Sequence, residues 1–195
     1  MHAAPKPLKA YPWYLRIFFW SQRRKFGAPL ASALVWARVP RLFLAVAFFL
    51  TSLERRKSPL TPALRSLVMV RVSQINHCRF CVDANAALLH KRGVDWEKIG
   101  ALENWRASER FEPVERAVLA YADAVTYTDG RVDDGLVAEL KRHFDEDGLV
   151  ELTGLVAFQN MSSKFNAALD IPPQGFCRTV LGGSSATHDN APKDA

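Results

Sequence analysis

Apolar residues recur along most of the chain at the spacing of about 3.6 residues that is typical of α-helices. The alternation of apolar and polar residues that marks half-buried strands is almost absent. Proline and glycine stand where helices would begin and end, as at Pro62 after Thr61 and at Gly27 and Gly93. The pattern predicts roughly eight or nine helices, placed near residues 13–26, 30–38, 41–56, 61–76, 78–92, 113–127, 132–144 and 148–169. The expected fold class is therefore all-α, a compact multi-helix bundle.

The composition is that of a globular protein. The chain has 195 residues, of which 49% are hydrophobic, and it contains 12 Phe, 5 Trp and 4 Tyr. This content excludes a disordered or low-complexity chain, and the length suits one domain with an extension. The longest apolar stretch runs from Leu42 to Leu53. It is too short to span a membrane, which takes about 20 apolar residues.

Positive charge is concentrated in the N-terminal third. Residues 1–60 contain 11 Lys and Arg and a single acid, Glu54, whereas residues 61–195 contain 15 basic and 19 acidic residues. Such asymmetry can attract nucleic acid or an anionic membrane, or complement an acidic surface on another subunit. Because no zinc finger or ribonucleoprotein motif accompanies the charge, no nucleic-acid partner is expected. Aromatic residues beside basic ones in the helix at 13–26 make membrane contact a minor hypothesis.

The cysteine content favours a reducing compartment. Cys78, Cys81 and Cys177 are too few and too unevenly spaced for the disulfide framework of a small secreted domain. The sequence also opens without a segment of the signal-peptide type. The expected localisation is therefore cytoplasmic.

Cys78 and Cys81 are the main candidates for chemistry. They stand three residues apart in NHCRFCVDAN, at the start of a predicted helix, so both sulfurs share one face and could close a disulfide. The N–H groups at a helix start favour the thiolate, which is the form that attacks peroxides, disulfides or metals. The pair could be a redox dithiol, half of a metal site, or two small core residues. Because His77 and His90 are not at a familiar zinc spacing, no metal is expected.

Redox chemistry at two thiols also needs groups that give and take protons. His77, directly before Cys78, is a candidate because histidine is the side chain best suited to proton transfer at neutral pH, and Asp83 and Asn85 follow the cysteines on the predicted helix. Asn85 shares a helix face with Cys81, whereas Asp83 projects differently. On the last predicted helix, Lys164 could favour a nearby thiolate, although it could equally line a subunit contact. That helix carries further polar residues that could form a site wall, namely Gln159, Asn160 and Asn166.

With these residues considered, the sequence resembles the carboxymuconolactone decarboxylase and alkylhydroperoxidase D-like superfamily. The resemblance runs from about Leu60 to Cys177 and rests on three segments in one order, ALRSLVMVRVSQINHCRFCVDANAALLHKRG, FEPVERAVLAYADAVT and ELTGLVAFQNMSSKFNAALDIPPQGFC. It implies an all-helical fold that assembles as dimers, trimers or hexamers. It divides the chain into a basic N-terminal helical extension (1–59), an alkylhydroperoxidase D-like helical domain (60–178) and a flexible tail (179–195).

For the hydroperoxidase branch, the resemblance implies a dithiol, here Cys78 and Cys81, that reduces peroxides or relays electrons. That branch also has a proton relay formed by a Glu twelve residues before the first cysteine and a His four residues after the second. These positions hold Ser66 and Asn85 in this chain. Neither side chain takes up a proton at neutral pH. Loss of the relay is expected to lower the rate by about 10²–10⁴-fold unless another group replaces it.

The leading hypothesis is therefore a thiol-dependent oxidoreductase, a slow peroxidase or a disulfide-exchanging enzyme, that uses a thiol reductant and no cofactor. Two alternatives stay open: a non-catalytic helical oligomeric module in which the cysteines only pack, and a decarboxylase-like enzyme that acts on a small organic acid or lactone. A cavity that reaches Cys81 beside Ser66 and Asn85 would favour catalysis. Buried sulfurs with no adjoining cavity would favour the module.

Overall fold

The structure is a computed structural model that describes residues 1–177, except for the side chains of residues 25 and 26. Nine α-helices and no strand occupy this part of the chain, which confirms the predicted all-α fold. The helices are α1 (Trp13–Phe26), α2 (Ala31–Trp36), α3 (Pro40–Leu53), α4 (Pro62–Ile75), α5 (Arg79–Lys91), α6 (Trp96–Ala101), α7 (Pro113–Thr126), α8 (Asp134–Leu140) and α9 (Glu146–Ala168). The predicted tail at 179–195 lies outside the described residues.

Helix α4 is the centre of the bundle. Residues 64–73 are all buried, and the helix packs against α5, α7 and α9. A helix that is enclosed in this way shows little difference between its faces. Its start is fixed by Thr61, whose side chain accepts a hydrogen bond from the Leu64 N–H (3.2 Å), and by Pro62 in the first turn. This start is the one that the Thr-Pro pair predicts.

A buried ion pair joins α4 to α7. Arg71 Nε donates to Asp123 Oδ1 (2.6 Å), and Arg71 Nη2 donates to Asp123 Oδ2 (3.1 Å). The indole N–H of Trp105 donates to the same carboxylate (3.2 Å), and the half-exposed Arg106 forms a second ion pair with it. This bidentate geometry offsets the desolvation of both charges and fixes how the two helices pack.

The sequence pattern does not predict the helical turns between residues 96 and 107. The chain there forms α6 and then a 3₁₀-helix at Leu102–Ala107, with Leu102 and Trp105 buried in the main core. Asp95 caps α6 by accepting a hydrogen bond from the Lys98 N–H (2.7 Å). Each segment has six residues, so neither is long enough to show a helical period clearly.

The N-terminal helices form an aromatic second core that lies on α9. Its buried members are Tyr11, Leu15, Phe19, Trp36, Ala37 and Phe43. Trp36 of α2 stacks on Phe165 of α9 with ring centroids 3.5 Å apart, and Phe49 of α3 meets Phe158 edge-on at 5.3 Å. Ring contacts of these two kinds add to the free energy of burial. None of the helices described in residues 1–177 combines the length and the apolar character needed to cross a bilayer.

Candidate functional site

A tight turn between α4 and α5 places the first cysteine. His77 follows α4 with a φ of 52°, in the left-handed region. The Cys78 N–H donates to the Ser73 carbonyl (3.0 Å) and the His77 N–H donates to the Gln74 carbonyl (3.0 Å), which is the pattern of a Schellman helix ending. The side chain of His77 is exposed. In this structure the residue reverses the chain so that Cys78, at the next position, caps α5.

Cys78 is the N-cap of α5, and Cys81 lies in its first turn. The Cys78 Sγ accepts a hydrogen bond from the Cys81 backbone N–H (3.3 Å), in the way that a Ser or Asp side chain caps a helix. Both cysteines are free thiols, and both are buried, with 1% of Cys78 and 4% of Cys81 exposed. The prediction that both sulfurs lie at the beginning of a helix is therefore confirmed.

The two neighbouring thiols have pKa values that are shifted in opposite directions. The Cys81 thiol donates to the Cys78 sulfur, and this bond, together with the Cys81 and Phe80 backbone N–H groups, holds the pKa of Cys78 below its usual range despite burial. The donation to Cys78 and burial raise the pKa of Cys81, while the Asn166 and Gln159 amides oppose this effect. The pair thus loses its first proton more readily than a free cysteine does, and its second with much more difficulty.

Two polar residues from distant parts of the chain support Cys81. The Asn166 Nδ2 of α9 donates to the Cys81 Sγ (3.1 Å), and the Ser32 Oγ of α2 donates to the Asn166 Oδ1 (2.7 Å). Ser32 and Asn166 are both buried. The hydroxyl fixes the amide so that its N–H, and not its oxygen, faces the sulfur. Nothing in the sequence marks Ser32, because it lies in a segment that the resemblance leaves outside the helical domain.

A cavity of about 210 Å³ adjoins the second cysteine. Cys81 and Asn85 lie together in its wall, as expected for two residues on one face of α5. Ser66 is buried but does not line the cavity. Its Oγ accepts a hydrogen bond from Arg92 Nη1 (2.8 Å), and Arg92 also pairs with Glu54 (2.7 Å). The cavity therefore reaches Cys81 beside Asn85, without Ser66.

The other predicted supporting residues lie away from the cavity wall. The carboxylate of Asp83 accepts hydrogen bonds from the backbone N–H groups of Gln174 (2.9 Å), Phe176 (3.1 Å) and Cys177 (2.9 Å), and so holds the segment after α9 against α5. Partial burial alone would raise the pKa of Asp83, but the three N–H donors outweigh this effect and keep the pKa below its usual range. Burial and the nearby Asp83 carboxylate raise the pKa of Cys177 to about 11. Lys164 is exposed on α9.

No three His, Cys, Asp or Glu side chains within residues 1–177 come together in a way that could hold a metal ion. The site thus consists of a thiol pair at a helix start, an amide that donates to it, and an adjoining cavity without a charged side chain. These features place the chain among all-helical proteins with a buried Cys-x-x-Cys pair.

Comparison with known proteins identifies the family. The sequence model of the carboxymuconolactone decarboxylase family matches residues 37–124. The uncharacterised protein YnjA of Escherichia coli (strain K12) is 43% identical over 172 residues, which cover 88% of this chain and 94% of that protein. The chain belongs to the carboxymuconolactone decarboxylase family.

Solved structures show the same fold. The alkylhydroperoxidase AhpD core, a peroxidase-related protein from Ralstonia eutropha JMP134, superposes with a TM-score of 0.79 at 23% identity, over 90% of this chain and 93% of that chain. The debrominase Bmp8, in a cysteine-to-alanine variant with bound 2,3,4-tribromopyrrole, superposes with a TM-score of 0.79 at 20% identity, over 93% and 96% of the two chains. The all-helical fold is thus shared along nearly the whole chain, including the N-terminal helices.

Proposed function

We propose that the protein is a thiol-dependent oxidoreductase that reduces a small peroxide at Cys81 and forms a disulfide between Cys81 and Cys78. The observation that carries this proposal is the cavity that ends on the Cys81 sulfur. This sulfur accepts a hydrogen bond from Asn166, and it lies beside Cys78, whose thiolate is favoured by the N–H groups at the helix start. Structural neighbours described as peroxidase-related support the class of reaction.

Cys81 is the attacking sulfur in this scheme because it lines the cavity, whereas Cys78 does not. The proton that the pair shares passes from Cys81 to Cys78 as the substrate binds, which leaves the negative charge on Cys81 next to the Asn166 amide. Cys78 then acts as the local base. This arrangement supplies the proton transfer that a Glu and His relay would otherwise provide, and it needs no third titratable side chain in the cavity.

The reaction balances with one proton from solvent. The Cys81 thiolate attacks a peroxide oxygen, the O–O bond breaks, and the leaving alkoxide takes the proton from Cys78, which gives an alcohol and a sulfenic acid at Cys81. The Cys78 thiolate then attacks the Cys81 sulfur, the S–S bond forms, and hydroxide leaves as water with the solvent proton. An external thiol reductant returns two electrons and two protons and is itself oxidised to a disulfide.

Burial of the pair favours a small substrate over a protein disulfide. Exchange with a protein partner requires that partner's sulfur to reach the attacking sulfur directly. Only 4% of Cys81 is exposed, and Cys78 lies behind it with 1% exposed. A small molecule can enter the cavity, whereas a folded disulfide cannot approach either sulfur without local unfolding.

The proposal is tested by counting thiols during peroxide reduction. With an organic hydroperoxide, we expect the native protein to lose two titratable thiols and release one equivalent of alcohol per chain, and to turn over continuously when dithiothreitol is added. The variant Cys177→Ser should still lose two thiols, because Cys177 donates to the Asp83 carbonyl (3.3 Å) and is absent from the cavity wall. Peroxide that leaves all thiols titratable contradicts the proposal. Activity toward an acid or lactone that survives thiol alkylation would instead support a cysteine-independent enzyme.

The pH–rate profile tests the role of Asn166. In Asn166→Leu the Cys81 sulfur loses an N–H donor. A hydrogen bond to a charged group is worth about 1.5–3 kcal/mol, so the rate at the plateau of the profile should fall by about 10- to 100-fold. The midpoint should move little, because the pair first loses its proton at Cys78, whereas Asn166 donates to Cys81. The matched variant Ser32→Ala keeps the donor and only frees the other end of the amide, so a smaller fall is expected. An unchanged plateau rate in Asn166→Leu would show that this amide does not stabilise the Cys81 thiolate.

A further inference from the structure

The cavity beside Cys81 is built from both parts of the chain. Helices α5 and α9 supply the reactive side, with Cys81 and Asn166. The opposite side comes from α1, α2 and α3, which contribute nine of the nineteen lining residues, so the N-terminal segment is a wall of the site. Trp36 and Phe43 are large members of this wall, and Ala47 is a small one.

Contacts with α9 hold the N-terminal wall in place. Trp36 stacks on Phe165 (3.5 Å between ring centroids), and Ser32 bonds to Asn166 (2.7 Å). Because Asn166 also donates to the Cys81 sulfur, the position of α2 is coupled to the reactive thiol through a single side chain. These contacts fix the position of the wall relative to the thiol, which suits a site that selects its ligand by shape.

The walls favour an uncharged ligand. Among residues 1–177, no Asp, Glu, Lys, Arg or His lines the cavity, and its polar side chains other than Cys81 are amides or hydroxyls. Several of these already bond within the protein: Asn85 (3.3 Å) and Gln159 (2.8 Å) donate to the Ser73 hydroxyl, and Ser32 bonds to Asn166. A charged ligand would lose its hydration here and find no opposite charge.

The size and the aromatic lining favour a ligand with one ring. An apolar cavity of about 150 Å³ accommodates benzene in another protein. This cavity has a volume of about 210 Å³, which leaves room for one ring with a short substituent. Aromatic rings bind other rings by stacked and edge-to-face contacts. Five aromatic side chains contribute to the walls of this cavity, namely Phe18, Trp36, Phe43, Phe80 and Phe158.

We infer that the substrate is an uncharged molecule with a single apolar ring that carries the reducible group, and that α2 and α3 determine this specificity. That this molecule carries a reducible group rests on the proposed function, whereas its single ring is inferred from the cavity alone. Hydrogen peroxide would fill little of the cavity and gain none of the contacts with the N-terminal wall. Binding energy from these contacts would orient the reactive bond toward Cys81.

Binding without chemistry tests the ligand class. The double variant Cys78→Ser and Cys81→Ser cannot undergo thiol oxidation at the site and should keep the cavity. We expect calorimetry to show that benzyl alcohol binds this variant and that benzoate, with the same ring and a negative charge, binds at least about tenfold more weakly. Equal binding of the two ligands, or tighter binding of benzoate, would overturn the inference. This result does not depend on whether the native protein reduces peroxides.

Filling the cavity from α3 tests the specificity. In Ala47→Phe the new ring enters the cavity, whereas in the matched variant Ala45→Phe it lies on the exposed side of the same helix. We expect Ala47→Phe to lower kcat/KM for cumene hydroperoxide at least about tenfold more than kcat/KM for hydrogen peroxide, and to weaken benzyl alcohol binding in the double cysteine variant. Ala45→Phe should change none of these.

Two outcomes would contradict the role of the N-terminal wall. One is an equal loss for both peroxides in Ala47→Phe at an unchanged melting temperature, because a specificity effect must distinguish the two. The other is benzyl alcohol binding that Ala47→Phe does not alter. If the native protein reduces neither peroxide while benzyl alcohol still binds as expected, the proposed function fails and the ligand class stands.

Discussion

Replacement of Cys81 by serine is expected to lower the rate of organic peroxide reduction by on the order of 10³-fold or more, because a hydroxyl cannot take the place of the attacking thiolate. Replacement of Cys78 is expected to stop the reaction at a later step. In Cys78→Ser, one equivalent of alcohol should form slowly, since Cys81 lacks its local base, and the sulfenic acid should then persist because no second thiol can attack it. Stopped-flow measurement of alcohol release, with and without reductant, distinguishes the two variants.

Cys177→Ser is the matched control for these variants. It removes a thiol of the same chain that is half-buried and bonded to the Asp83 carbonyl, and its rate should stay within about twofold of the native rate. If Cys81→Ser retained the native rate, the assignment of the attacking sulfur would be wrong. If Cys78→Ser turned over continuously without added thiols, the resolving role of Cys78 would be wrong.

The variant Asp123→Asn is expected to destabilise the fold by about 3–5 kcal/mol, because it removes the negative charge opposite the buried Arg71. Only 3% of Asp123 and 6% of Arg71 are exposed, so water cannot replace the lost partner. The same carboxylate also accepts the Trp105 N–H and pairs with Arg106. Since domains of this kind have a total stability of about 5–15 kcal/mol, this destabilisation should strongly lower the guanidinium concentration at the midpoint of unfolding.

Glu97→Gln is the matched control for this charge removal. Glu97 also pairs with an arginine, Arg110, but its side chain is 74% exposed. Exposed pairs of this kind contribute about 0–1 kcal/mol. If Asp123→Asn lowers the free energy of unfolding no more than Glu97→Gln does, the buried pair does not stabilise the contact between α4 and α7.

The helical fold could be predicted because its signals are local. Thr61 and Pro62 start α4 as expected, and Gly27 and Gly93 both adopt a positive φ after a helix, as their positions predict. Cys78 caps α5 at the predicted point. The six-residue helix α6 was missed because it is too short to show a period, although Asp95 before it is a capping signal.

The site could be predicted only on the side that the two cysteines mark. Asn85 lies in the cavity wall as its spacing from Cys81 suggests. The contact from Ser32 to Asn166 spans 134 residues and that from Asn166 to Cys81 spans 85, and no local pattern carries such information. Ser66 faces Arg92 because α4 is buried on all sides and each of its faces meets a different helix.

The proposed reaction needs no Asp, Glu, Lys, Arg or His in the cavity wall, and none of the described residues places one there. In a relay, Glu and His titrate close to neutrality and move protons for the thiols. Here the proton donor to Cys78 is Cys81 itself, and Asn166 stabilises the charge without titrating. Apart from the thiolate, the proposed reaction needs no further charge in the cavity, which is consistent with an apolar ligand.

In the proposed reaction, Cys78 and Cys81 exchange electrons with an outside molecule. Mass spectrometry of the native protein, treated with one equivalent of organic hydroperoxide and digested without reduction, measures this directly. We expect a peptide in which Cys78 and Cys81 are bridged and Cys177 is free, and we expect dithiothreitol to reverse it. If both cysteines are recovered as unmodified thiols while the peroxide is intact, the cysteines pack in the core and the account of the site as a redox centre is wrong.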